Sequence, residues 1–156
     1  MPDALPLDDP FAATTPRLAL PLLHAAQARK EAFLNEALAR LDGLVQPSVA
    51  GFEASPPVTP TDGECWIVAA PAEGDWAGRE DRLALRQQGQ WLFVDPRPGM
   101  LAYDASLGQF RWFSGTWQKA EQVEEPSGGL IVDSEARAAI GALISALRAA
   151  GICPSA

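Results

Sequence analysis

Apolar positions change their period twice along the chain. From Leu22 to Val45 they recur at helical spacing: at 100° per residue Leu23, Ala26, Phe33, Leu34, Ala37, Leu38, Leu41, Leu44 and Val45 fall within an arc of about 140°. Gly43 and Pro47 mark an exit, so the pattern predicts an amphipathic helix within residues 22–47. Arg29, Glu36 and Arg40 lie off the arc on one side, and Glu31, Asn35 and Asp42 on the other. Such an arc is expected to be buried, against the rest of the chain or against a neighbouring subunit. Lys30 projects into its middle, where it either snorkels to solvent or pairs with a carboxylate at a helix–sheet or subunit boundary.

Beyond a Pro-rich connector, Gly51 to Asp62, the period drops to two. Cys65–Val68, Leu83–Arg86, Trp91–Val94, Met100–Tyr103, Gln109–Phe113 and the short Thr116–Gln118 read as strands. Turn residues such as Gln88-Gly89, Leu107-Gly108 and Ser114-Gly115 make the connections short enough for an antiparallel meander. An acidic, Gly/Ser/Pro-containing stretch from Glu121 to Gly129 then interrupts the pattern as a linker. Asp133 or Ser134 caps a last helix that runs to about Ala150 and is closed by Gly151 and Pro154. Its large apolar residues Ile140, Leu143, Ile144 and Leu147 form a narrow seam, with alanines opposite, so the seam is expected to pack within or between subunits.

The N-terminal residues 1–21 hold five prolines and no periodicity, and are expected to form an extended arm outside the core. The whole is an α+β chain. It comprises the arm (1–21), an amphipathic helix (22–47), a small antiparallel β domain built as a meander or a sandwich- or barrel-like unit (48–120), a linker (121–132), and a C-terminal helix and tail (133–156).

Composition narrows the function classes. Twelve Lys and Arg against twenty Asp and Glu give a net charge of −8, which disfavours nonspecific binding to nucleic acid or to an anionic membrane. One His and two Cys do not make a usual structural zinc site. Cys65 and Cys153 lie in unlike contexts and read as free thiols, which suits synthesis in a reducing cytoplasm. The acidic, Pro-rich start is unlike a signal peptide, and the longest apolar stretch, Leu18 to Ala26, is too short to span a bilayer.

Catalytic signatures are equally sparse. There is no nucleotide-binding glycine loop and no nucleophile elbow, and the single His24 stands at a helix start. Glu64, Asp75, Asp95 and Asp104 sit near strand ends as turn carboxylates usually do. The expectation is a protein that is not an enzyme and takes no cofactor or metal. Of the five tryptophans most should fill the core, and Trp76, in the loop Glu73–Gly78, is the one expected to be exposed.

Several motifs together resemble a known family. Gln27-Ala-Arg-Lys-Glu31 and Asn35-Glu-Ala-Leu-Ala-Arg-Leu-Asp-Gly-Leu-Val-Gln-Pro47 carry most of the likeness. It extends upstream to Thr15–Pro21 and downstream through Gly63–Val68, Gly74–Gly78, Gly89–Met100 and Phe113–Trp117. The sequence resembles, over residues 14–118, an uncharacterised-domain family found in prophages and gene transfer agents of alphaproteobacteria. Leu34 and Cys65 depart from the family's pattern, which more often has a polar residue at the first and Asp or Arg at the second.

The resemblance implies a virion structural protein on the capsid surface. The closest fit is the head spike base, which links a capsid vertex to a host-binding fibre of a phage-like gene transfer agent. Its expected partners are its own copies, a pentamer at a fivefold vertex, together with the capsid protein and the spike fibre protein, with no nucleic acid and no membrane. The arm, including Pro16 and Arg17, is the expected particle contact. Lys30 and the Ile140, Leu143, Ile144 and Leu147 seam are expected at subunit or fibre boundaries. The alternative is a carbohydrate-binding module that engages host capsular polysaccharide through Trp76 and its neighbours, and a third reading is a small tail- or tape-associated chaperone.

Overall fold

The structure, a computed structural model, describes residues 13–23, 30–129 and 133–154. Alternation and turn chemistry set the β unit. Its strands are β1 (Ser48–Val49), β2 (Phe52–Glu53), β3 (Cys65–Val68), β4 (Leu83–Gln87), β5 (Gln90–Val94), β6 (Leu101–Asp104), β7 (Gln109–Phe113) and β8 (Trp117–Lys119). Helix α1 (Lys30–Leu44) precedes them and α2 (Ser134–Ala149) follows the linker, so the fold is α+β. Each of the six strands expected from alternation is present, shifted at most by a residue at an end. The β4–β5 hairpin turns on Gln88 and Gly89, both at positive φ (48° and 73°), the backbone a two-residue hairpin of this hand requires.

The strands form two four-stranded sheets, in the orders β1-β6-β7-β8 and β2-β3-β4-β5, and they do not close into a barrel. β3–β5 and β6–β8 are antiparallel meanders, as expected. What joins them was not visible as strand. Pro47 and Val49 accept from Tyr103 and Ala105 on the first sheet, at 2.8 and 2.9 Å. Immediately afterwards Ala50 donates to Cys65 and Gly51 accepts from Ile67 on the second, at 2.7 and 3.0 Å. Residues 47–53 are thus one parallel staple shared by both sheets. A pair of two-residue strands is too short for alternation to register, and Gly51 read as the start of the connector.

The core lies between the sheets. Val49, Cys65, Ile67, Leu83, Leu85, Ala102 and Trp117 are buried there, and Leu44 of α1 packs against them. Trp117 also donates its indole N–H to the Asp81 carbonyl at 2.7 Å, tying β8 to the loop before β4. Burial pushes the Cys65 thiol up to about 12, with the Arg17 charge a small opposing influence. Cys65 and Cys153 are both free and buried.

A second cluster covers the outer face of β3–β5. The loop after β3 makes a 3₁₀ turn at Gly74–Trp76 and drives Trp76 onto Val68 and Ala84, where it is wholly buried. Trp66 and Trp91 flank it at ring-centroid distances of 6.3 and 5.2 Å. The expected exposure of Trp76 is therefore corrected. Ala84 leaves a hollow between two larger indoles, and a third indole fills it.

The N-terminal end of the first helix is corrected as well. Leu22 and Leu23 are not helical: Leu22 donates to the Ala13 carbonyl, and Leu23 exchanges hydrogen bonds with the Asn35 side chain at 2.9 and 2.8 Å. Residues 24–29, including His24 and Arg29, lie outside the described residues, and so does the side chain of Lys30. Over its described part the expected extended arm is a turn. Thr14 and Pro21 form an antiparallel bridge, and Thr15 donates to the Leu20 carbonyl through its backbone N–H at 2.9 Å.

Candidate interaction surfaces

The N-terminal turn is held by one buried carboxylate. Asp42, near the end of α1 and fully buried, accepts from the Thr15 hydroxyl (2.7 Å), the Leu18 N–H (2.7 Å), the Arg17 N–H (3.1 Å) and the Gln87 amide (3.3 Å). Burial works to raise the Asp42 carboxyl, but the four donors outweigh it and hold the group below its ordinary value. Arg17 completes the contact: its guanidinium donates to the carbonyls of Asp42, Gly43 and Gln46 at 2.5, 3.3 and 3.1 Å. The first two are carbonyls that a helix C-terminus leaves without intrahelical partners, and the third follows the helix. Gly43 is needed at this point because a Cβ there would lie 2.5 Å from a Leu85 methyl locked in the core. Pro16, on the same turn, is exposed.

This anchoring decides which face of α1 turns inward. Asn35, Leu38, Ala39, Asp42 and Gly43 face the β unit, and Arg40 reaches the Phe93 carbonyl on edge strand β5 at 3.3 Å. Leu44 of the apolar arc packs on the core, but four of its large residues point away. Phe33 is 79% exposed, with Leu34 at 47%, Leu41 at 50% and Val45 at 45%. Among the described residues nothing covers this stripe. Among the described residues, then, the expected burial of the arc is met only in part, at Leu38 and Leu44.

Helix α2 repeats the arrangement on the other sheet. Its N-terminus is capped by Asp133, which accepts from the Ala136 N–H at 2.9 Å. Arg137, Gly141, Ile144 and Arg148, one above another on the helix, are its less exposed positions. Arg137 donates to the Pro126 and Gly128 carbonyls and Arg148 to that of Val123, so the linker runs back along the helix. Of the expected seam only Ile144 is buried, at 3% exposure, whereas Ile140, Leu143 and Leu147 stay open. Past the helix, Gly151 adopts a φ of +69° and its carbonyl accepts from the Phe110 N–H of β7 at 2.6 Å.

The eight residues singled out from sequence therefore do not converge on one site. Pro16 and Arg17 share the turn, Ile140, Leu143, Ile144 and Leu147 share α2, Trp76 belongs to the core, and only the backbone of Lys30 is described. Sequence reasoning missed the buried polar groups that hold these parts together. Besides Asp42, Asp104 is fully buried and accepts from Arg111 Nε and the Ser106 hydroxyl, both at 2.6 Å. Burial pulls Asp104 upward, and the Ser106 and Arg111 contacts bring it below its ordinary value. Asp42 had read only as a residue off the apolar arc, beside Glu31 and Asn35. Its only signal was its place at the margin of the apolar arc.

A cavity of about 430 Å³ opens between the turn, α1 and the β4–β5 hairpin, with Thr14, Asn35, Glu36, Asp62 and Gln88 among its walls. No group of three or more metal-ligating side chains occurs among the described residues, and no helix there is long and apolar enough to cross a membrane. Residues 34–118 match the family model described as "Protein of unknown function (DUF2793)", and since the match spans more than half of the chain, the protein belongs to that family. No curated protein matches the chain.

Proposed function

We propose that this protein is a structural adaptor: the head spike base of a phage-like gene transfer agent particle, which joins a capsid vertex to a host-binding fibre. One observation carries the adaptor reading. Two apolar helix stripes, one held to the β4–β5 side and the other hooked to β7, are left uncovered among the described residues. Apolar surface of this kind on a small domain marks protein–protein contact. Two such stripes on different sheets suit a part that touches its own copies and something else. The finer assignment to the spike base rests on the likeness of the Gln27–Pro47 and Trp/Gly strand motifs to the prophage and gene transfer agent family.

In this reading the copies form a closed ring, five at a fivefold vertex, on the capsid surface. The turn that carries Pro16 and Arg17 belongs to the particle side together with residues N-terminal to it. The fibre meets the α2 side. The glycan-binding alternative loses its chosen platform, because Trp76 is sealed in the second core cluster. The test is particle purification from a strain that produces the protein with Phe33→Glu and Leu41→Glu, with the vertices imaged. Bare vertices on otherwise intact particles are expected. Spikes at normal occupancy, or no association of the unaltered protein with particles at all, would remove the proposal.

A further inference from the structure

A sheet edge is a place where a chain can still gain hydrogen bonds, because one row of its backbone groups meets no strand. The two sheets end in β1 and β8 and in β2 and β5. β1 and β2 are two residues long and β8 is three. β5 runs for five residues in unbroken register with β4, and it contains no proline or lysine to blunt the edge.

Which groups of β5 are open follows from β4. Arg86 donates to the Glu64 carbonyl and accepts from the Gly63 N–H on the β3 side, both at 2.8 Å, and Arg82 accepts there from Val68 at 3.0 Å. By the alternation of an antiparallel ladder, Arg82, Ala84 and Arg86 are engaged with β3, and Leu83, Leu85 and Gln87 bond Val94, Leu92 and Gln90. Trp91 and Phe93, opposite Arg86 and Ala84, therefore turn their backbone groups away from the sheet. The Phe93 carbonyl takes the Arg40 guanidinium at 3.3 Å. Among the described residues the Trp91 N–H, the Trp91 carbonyl and the Phe93 N–H have no partner.

The cavity of about 430 Å³ opens beside the same strand. Gln90 and Leu92 form one wall, and Ala32, Asn35, Glu36 and Ala39 of α1 form another, with two alanines leaving the room. A groove between an open strand and a helix seats an extended chain, which adds to the sheet as a further strand and puts alternate side chains into the space beside it. The chemistry of the edge names its occupant: an extended polypeptide repeats its donors and acceptors at the two-residue spacing of Trp91 and Phe93.

We propose that β5 and α1 form a peptide groove, in which an extended segment of a partner protein pairs with Trp91 and Phe93 and places the side chain opposite Leu92 in the cavity. Glu36 and Asp62 are the ionisable groups among the described cavity walls, so that side chain is neutral or basic and an acidic one is rejected. The groove is a property of the sheet edge and stands apart from the particle assignment above.

The test uses the full chain and an array of random heptapeptides, with amide hydrogen exchange followed for the protein alone and with the tightest-bound peptide. In the free protein the Trp91 and Phe93 amides should exchange fast, and those of Gln90, Leu92 and Val94 slowly. Bound peptide should slow Trp91 and Phe93 selectively. Phe93→Pro removes an outward donor and spares the β4 ladder, as edge prolines do, and should weaken binding about tenfold. Ala32→Phe, at an exposed position on the cavity wall, should weaken it similarly by filling the space, and it guards against misfolding of the proline variant. Peptides that bind while both amides stay unprotected, or that bind both variants as tightly as the unaltered chain, overturn the groove. So does an array without a binder. Slow exchange of Trp91 and Phe93 in the free protein overturns it too, because the chain or a second copy would then already fill the edge. Each of these results leaves the adaptor reading standing, whereas failure of the protein to join particles removes that reading and leaves the groove.

Discussion

In β4, Leu83 and Leu85 turn into the space between the sheets and are sealed there, whereas in α1 Phe33 and Leu41 turn away from the protein and stay in water. Both pairs stood out from the same kind of pattern. The difference lies in what a pattern can specify. A strand joined to its neighbour by a short turn and lying about 4.7–4.9 Å from it in a sheet has its inner face fixed by the pleat, so alternation names the buried residues and the turn sets their partners. A helix's apolar arc names the face that gains from burial, but nothing in its period says which molecule covers it. In α1 the choice was made by polar groups, Asp42 with Thr15, Arg17 and Gln87, which turned the opposite margin inward.

The contrast breaks first at the tryptophans. Trp76→Ala removes an indole from a sealed cluster and should cost about 3–5 kcal/mol, while Trp112→Ala, at a ring that is 39% exposed, should cost well under half as much. Urea denaturation checks both, and equal midpoints for the two variants would undo the distinction.

That reversal shows how far the sequence was legible. The six longer strands, the Gln88-Gly89 turn, the Asp133 cap and the Gly151 stop were all readable because each is a local rule of backbone chemistry. The 47–53 staple, the burial of Trp76 and the role of Asp42 were not. Each depends on tertiary contact that no local rule encodes: Trp76 folds back on Val68 and Ala84, and Thr15 meets Asp42 27 positions away. The exposed stripes sit between these cases: their composition was visible, and their exposure among the described residues was not.

Smaller effects sharpen the comparison within α1 itself. Asp42→Ala leaves Thr15, Gln87 and two backbone donors without their acceptor and should cost about 1–3 kcal/mol, with increased hydrogen exchange at Leu18. Phe33→Ser, one face away, should leave the denaturation midpoint of the monomer within about 0.5 kcal/mol of the unaltered protein. Loss of stability by Phe33→Ser comparable to that of Asp42→Ala would mean that the stripe is internal after all.

Acid separates the two regions in a third way. Asp42 and Asp104 both have folded values below the ordinary 3.8, so the stability they contribute is fully present above that value and is lost as pH falls through the lowered ones. The midpoint of unfolding should thus be level from neutrality to about pH 5 and decline below about pH 4. In Asp42→Asn that decline should be shallower, as followed by circular dichroism. An identical acid limb in the variant would take Asp42 out of the account.

The central claim is that the uncovered α1 stripe is a subunit surface and not surplus hydrophobicity. Its most direct test is the mass in solution, by light scattering on a sizing column, of the unaltered chain and of Phe33→Glu with Leu41→Glu. The account predicts an oligomer for the first and a monomer for the second, with the two unfolding at nearly the same denaturant concentration under dilute conditions. The same mass for both, whether monomer or oligomer, would contradict it.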